Sequence, residues 1–173
     1  MKIKTRRYYI YYFLKIALFL MSRVPLQVSL FFAGMLGNLG FYLLPKYRDI
    51  AVRNLGEAFA GDTKKCEEIT KKLFANLAKN GAEWIKLYAI KPKDIFKIVT
   101  EFENIEYLKE AVAKGRGVIG LSFHFGNWEL LAICLKQMGY EGSVVARRIY
   151  FYKYNDLLVK MRARFGLGTI YRD

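Results

Sequence analysis

Apolar positions follow three rhythms along this chain, and each predicts a different kind of structure. The first 45 residues are almost continuously apolar. "YYIYYFLKIALFLMS" follows a basic start, "MKIKTRR", and is interrupted by Lys15, whereas "VPLQVSLFFAGMLGNLGFYLLP", residues 24–45, carries no charge. About 20 apolar residues suffice to cross a bilayer as a helix, so the second stretch is long enough. Ala33 and Gly37 have small-xxx-small spacing, and Gly34, Gly37 and Gly40 extend a small surface for close helix packing. Tyr8, Tyr9, Tyr11 and Tyr12 suit a headgroup interface better than a hydrocarbon centre.

The middle of the chain changes to a helical period. "KYRDIAVRNLGEAFAG" sets Ile50, Leu55 and Phe59 among basic and polar residues, which predicts a short helix ending at Gly61. Asp62 or Thr63 is available to cap the next helix, along which Ile69, Leu73, Leu77 and Trp84 recur at helical intervals. Pro92 marks a break. "DIFKIVTEFEN" is expected to run into a strand near residue 100, and "IEYLKEAVAKG" reads as a short amphipathic helix stopped by Gly115.

The third rhythm is short and strand-like. "GVIGLSF", residues 117–123, is an apolar run bounded by glycine, the pattern of a buried strand. After it come a helix, "WELLAICLKQM", a second buried strand, "SVVAR", a helix, "YNDLLVKMRARFG", and the start of a third strand, "GTIYRD". Strand alternating with helix predicts an α/β fold with a mostly parallel sheet flanked by helices. The expected organisation is a membrane-anchoring helical segment over residues 1–45 and an α/β domain over residues 46–173.

Charge sharpens the reading of the first 45 residues. The chain holds 29 Lys+Arg against 15 Asp+Glu, a net charge of +14, which favours anionic lipid, nucleic acid or an acidic protein as partner. No nucleic-acid motif accompanies that charge, and the aromatic residues cluster at the membrane end, so a nucleic-acid role ranks last. A cleaved signal peptide fits poorly, because the apolar region is too long and no small-residue cleavage site stands out. A soluble buried hairpin stays open, since glycines and Gln27 dilute the hydrophobicity; membrane association is the leading reading. Lys2, Lys4, Arg6 and Arg7 precede the apolar region, and Lys46, Arg48 and Arg53 follow it. A single span would put one cluster outside, against the positive-inside tendency, so a shallow hairpin or an interfacial placement is preferred. The two cysteines, Cys66 and Cys134, read as reduced and structural, and one histidine with two distant cysteines cannot supply a zinc site.

The chain spends its only histidine in "LSFHFGNWEL", residues 121–130. Residues five apart on one straight helix sit about 140° from each other, so His124 and Glu129 can pair only if His124 lies in a turn. Gly126 supplies that turn, and Asn127 can cap a helix beginning near Trp128, with Glu129 in its first turn. There a neutral imidazole can remove a proton from a hydroxyl while the carboxylate fixes its tautomer. The bland alternative is a partly buried histidine bonded to backbone.

"HFGNWE" resembles the HX4D/E box of the lysophospholipid acyltransferase superfamily, in the form used by bacterial lipid A biosynthesis (lauroyl/myristoyl) acyltransferases. "PKYRDIAVRNLGEAF" is similar to the family's segment after its membrane anchor, and "VVARRIYFYKYNDLLVKMRARFG" to the block after its box. The resemblance implies acyl transfer from an acyl carrier protein or acyl-CoA thioester to a glycolipid hydroxyl at the cytoplasmic face of the bacterial inner membrane, with no cofactor. It implies His124 as base and Glu129 as its orienting partner. Arg147, or Arg148 in its place, would hold anionic phosphate, as would Arg162 or Arg164 unless these lie on a solvated face; Gly126 and Asn127 would shape the turn. The acceptor could be a lipid A precursor, a phosphatidylinositol mannoside or another glycolipid. The rival reading is a non-catalytic basic module that binds anionic lipid or a partner.

The family's domain continues past the equivalent of "GTIYRD", so the chain is expected to be C-terminally truncated and weak or inactive alone. Robust turnover by the purified 173-residue chain would overturn that expectation.

Overall fold

The computed structural model describes residues 2–172, which form two compact units, one ending at Ala89 and the other beginning at Ile90. The first unit is helical: α1 (Lys2–Arg23), α2 (Leu26–Leu43), α3 (Pro45–Ala58) and α4 (Thr63–Lys86). Local chemistry accounts for each boundary. Pro25 and Pro45 stand at the entries of α2 and α3, where a missing N–H costs nothing. Asp62 caps α4 by accepting from the Lys65 N–H at 3.1 Å. The end of α1 leaves carbonyls without helical partners, and Lys86 Nζ donates to two carbonyls there, Ser22 O and Val24 O, at 2.9 Å each.

The stripe of small residues on α2 is used, and its partner is α4. A Cβ on Gly37 would lie 2.5 Å from the Phe74 carbonyl oxygen and 2.6 Å from Ala75 Cα, so only glycine permits this approach. Gly34 and Phe41 are buried on the same side. Phe41 meets Phe74 edge-on, with ring centroids 6.0 Å apart. The opposite face of α2 stays exposed, and by length and composition this helix could cross a membrane.

On α4 the buried positions are Cys66, Thr70 and Ala82, whereas Leu73 and Leu77 of the predicted apolar stripe are exposed. Helical spacing located the helix, and of its four positions Ile69 and Trp84 are half-buried. Packing on α2 takes the side bearing Ala75, and that choice leaves Leu73 and Leu77 outside.

In the second unit a 3₁₀ helix (Pro92–Lys97) precedes α5 (Ile105–Ala113), α6 (Trp128–Gln137), β1 (Ser143–Arg147), α7 (Tyr152–Arg164) and β2 (Gly168–Arg172). The strands pair in parallel, Ser143 with Gly168 through Arg147 with Arg172, as the strand–helix–strand pattern requires. The fold class is thus α/β, mostly helical with a small parallel sheet. Ile95, Ile133, Cys134, Met161, Phe165 and Leu167 make its core. Burial pushes the Cys134 thiol up to about 11, so it stays protonated and packs as a small apolar group.

Three strand expectations need correction. Residue 100 lies in irregular chain after the 3₁₀ helix that Pro92 starts. Residues 117–123 form no strand, and Ile119 is 99% exposed. An apolar run becomes a strand only through ladder bonds to a neighbour, and among the described residues β1 pairs with β2 alone. Finally, β1 is not buried on both faces: Val145 and its register partner Ile170 are exposed together.

The α2–α4 contact makes a graded prediction. Gly37→Ala forces the two backbones apart and should cost about 1–3 kcal/mol, as overpacking does. Gly40→Ala meets Phe74 Cδ1 at an ordinary 3.6 Å and should be tolerated. Denaturant midpoints of the two variants in detergent should differ in that order, and equal midpoints would contradict the contact.

Candidate active site

The turn into α6 is built as its residues require. Gly126 has φ +57°, the left-handed region that a side chain resists. Asn127 then caps α6, its Oδ1 accepting from the Leu130 N–H at 3.1 Å. His124 sits on an exposed bend just ahead, its ring centroid 4.6 Å from that of Trp128. Glu129 occupies the first turn of α6, as its sequence position predicts.

The carboxylate, however, has a different partner from the one expected. Arg162 of α7 donates from Nε to Glu129 Oε2 at 2.9 Å and from Nη2 to Oε1, a bidentate clamp. Its Nη1 also lies 3.5 Å from Thr169 Oγ1 of β2. Arg162 is only 6% exposed. No hydrogen bond joins His124 to Glu129 among the described residues. A guanidinium matches a carboxylate with two charge-assisted bonds, whereas an exposed imidazole offers at most one. The better match takes the carboxylate inward, and His124 remains outside against Trp128.

The predicted arginines separate accordingly. Arg147 ends β1 and is exposed, in register with Arg172 at the end of β2. Arg148 stacks over Tyr171, its guanidinium carbon 4.5 Å from the ring centroid. Asn155 braces this edge by donating to the Tyr171 hydroxyl at 2.6 Å and accepting from the Ile149 N–H at 3.2 Å. Arg164 is exposed and donates to the Ile90 carbonyl at 2.7 Å, away from the Glu129 clamp. Of the two α7 arginines, Arg162 is therefore the inward one. Its signal lay in the sequence as a basic residue within a helix, but nothing there distinguished it from Arg164. Arg172 joins the basic rim through strand register, which the sequence does not specify.

The model of the bacterial lipid A biosynthesis acyltransferase family matches residues 1–173. The chain belongs to that family. A search of the curated proteins and a search of the solved structures each return no match. Family membership makes this an acyltransferase of lipid A biosynthesis, a membrane-associated class that works on an acyl donor and a lipid acceptor.

Within this acyltransferase the Arg162–Glu129 pair carries a stability prediction. Arg162→Ala strands a carboxylate whose side chain is only 15% exposed, and should cost about 3 kcal/mol. Replacing both residues by apolar ones of similar volume, Arg162→Met with Glu129→Leu, should recover much of that loss. A double-mutant cycle on urea unfolding measures the coupling, and strictly additive losses would deny the clamp.

Proposed function

We propose that this enzyme moves a fatty acyl group from an acyl carrier protein thioester, with acyl-CoA as the other possible donor, to a hydroxyl of a glycolipid such as a lipid A precursor. The reading is carried by one observation: the chain's only histidine stands exposed at a glycine turn, five residues before a carboxylate in the first turn of a capped helix. His124 takes the hydroxyl proton as the acceptor oxygen attacks the thioester carbonyl. The new C–O bond forms, the C–S bond breaks, and the proton passes from the imidazolium to the departing thiolate. Glu129, fixed by Arg162, holds the first turn of α6 and with it the bend that carries the imidazole. Trp128 limits how the exposed ring can turn.

Arg147 and Arg148, at the carboxyl end of β1, bind acceptor phosphate, because carboxyl ends of parallel strands are where α/β sheets receive ligands. Gly126 and Asn127 hold the turn. Arg164, bonded to a carbonyl at the surface, contributes only to a general basic face. The +14 charge suits both an acidic carrier protein and the anionic cytoplasmic face of the inner membrane.

The commitment of Glu129 to Arg162 favours a second reading: a basic, membrane-bound module without catalysis, in which His124 has no proton to take. Acyl transfer in isolated membranes, with labelled acyl carrier protein and several glycolipid acceptors, separates the two. His124→Ala should lower the rate by about 10²–10⁴ if the imidazole is the base. Equal transfer by wild type and mutant would end that role.

A further inference from the structure

The apolar helix α2 has lysines along its flank, and their positions bear on how it meets a membrane. Tyr42, near its end, has its hydroxyl 3.1 Å from Lys71 Nζ. Gly34, at its midpoint, lies against Lys79, whose Cε would be 3.0 Å from a Cβ placed there. Val24, just before it, accepts from Lys86. The two helices therefore run antiparallel in contact, and α4 sets a lysine beside the start, the middle and the end of α2.

A helix that crossed a bilayer in this arrangement would carry Lys79 to the hydrocarbon centre, the depth at which a cation is least tolerated. Separating α2 from α4 would instead empty the close contact at Gly37. The surface of α2 fits another placement. Val28, Phe32, Met35, Leu39 and Leu43 are all exposed and recur every three or four residues, so they form one apolar face about 22 Å long. To its side lies an open groove lined by Asn38 of α2 and by Glu68, Lys71, Lys72, Asn76 and Lys79 of α4. Lys72 and Lys79 make no hydrogen bond or ion pair among the described residues.

We propose that α2 lies in the plane of an anionic membrane surface, its Val28–Leu43 face in the acyl boundary and the lysine groove at the level of the lipid phosphates. Interfacial helices combine these features, an apolar face submerged and a basic flank at the headgroups. The proposal rests on the membrane association of the enzyme class and specifies its geometry. It is independent of His124 and of the acyl donor.

Two measurements on the full chain test it. Spin labels on cysteines placed one at a time at positions 28, 32, 35, 39 and 43 report depth in phosphatidylglycerol–phosphatidylcholine vesicles. Cys66 and Cys134, each 1% exposed, escape labelling in the folded chain. In-plane α2 gives the same depth at all five positions, about 5–10 Å below the headgroups. A depth maximum at position 35 that falls towards both ends means a spanning helix and overturns the proposal.

The second measurement is partition. Changing Lys71, Lys72 and Lys79 together to Gln should weaken binding to anionic vesicles about 100-fold, roughly fivefold per lysine. The corresponding triple Arg variant should bind as wild type does, and binding to phosphatidylcholine alone should not change. A Gln variant that binds anionic vesicles like wild type removes the phosphate contacts and overturns the proposal. Failure of the wild-type chain to bind any vesicle would overturn both the proposal and the membrane association beneath it, whatever the acyl-transfer assay reports.

Discussion

In the second unit, the Arg162–Glu129 clamp is the constraint from which the other arrangements follow. It ties the first turn of α6 to the last turns of α7, and through Thr169 it reaches β2. A buried ion pair of this kind adds little net stability over apolar packing, because desolvating both charges offsets most of their attraction. What it provides is position. Once Glu129 is held, the start of α6 is fixed, and with it Asn127, Gly126 and the bend that carries His124. The Gln137 amide adds a further tie to the α7 end, donating to the Phe165 carbonyl at 2.7 Å.

The first unit is governed by a comparable rule with different chemistry. Glycine at position 37 lets the α2 backbone touch that of α4, and the side chains around it then have to match. The match is mixed: Phe41 against Phe74, but also Tyr42 against Lys71 and Gly34 against Lys79. A helix pair meant for hydrocarbon would bring small and apolar residues from both sides. Here α4 brings Phe74 and Ala75 but also lysine stems, whose methylenes cover apolar surface while their ammonium groups stay at the edge.

Much of this was legible in the residues. "SVVAR" is β1, "GTIYR" is β2 and "YNDLLVKMRAR" falls within α7, because turn residues and alternating patterns fix such short elements locally. Asp62 and Asn127 were recognisable as caps for the same reason. The readings that failed depended on partners distant in sequence. The run at residues 117–123 has strand composition, but composition cannot supply a ladder. The stripe of Leu73 and Leu77 has helical period, but period does not say which side another helix will take. Glu129 was correctly placed in the first turn of its helix, and its partner was not, since Arg162 lies 33 positions away and competes with Arg164 on equal terms in the sequence.

That last difference changes how the proposed HX4E box would work as physical chemistry. A histidine buried beside its carboxylate would be preorganised but closed to a large acceptor. Here the negative charge is anchored by a guanidinium, and the imidazole is left on an exposed bend, restrained by one aromatic ring. In the proposed reaction such a base would meet a hydroxyl presented by a bulky glycolipid without the fold opening, because the strongly bonded group is not the one that must move. The cost is electrostatic: Arg162 neutralises part of the charge that would steady the imidazolium, so Glu129 serves more as a positioning residue for the turn than as an unscreened counter-ion. Glu129→Gln separates these roles, since the amide keeps its place and can accept one bond from Arg162 but carries no charge. A drop in kcat with unchanged urea stability would mean that the charge acts on the imidazolium, whereas parallel losses would mean that it acts through the clamp.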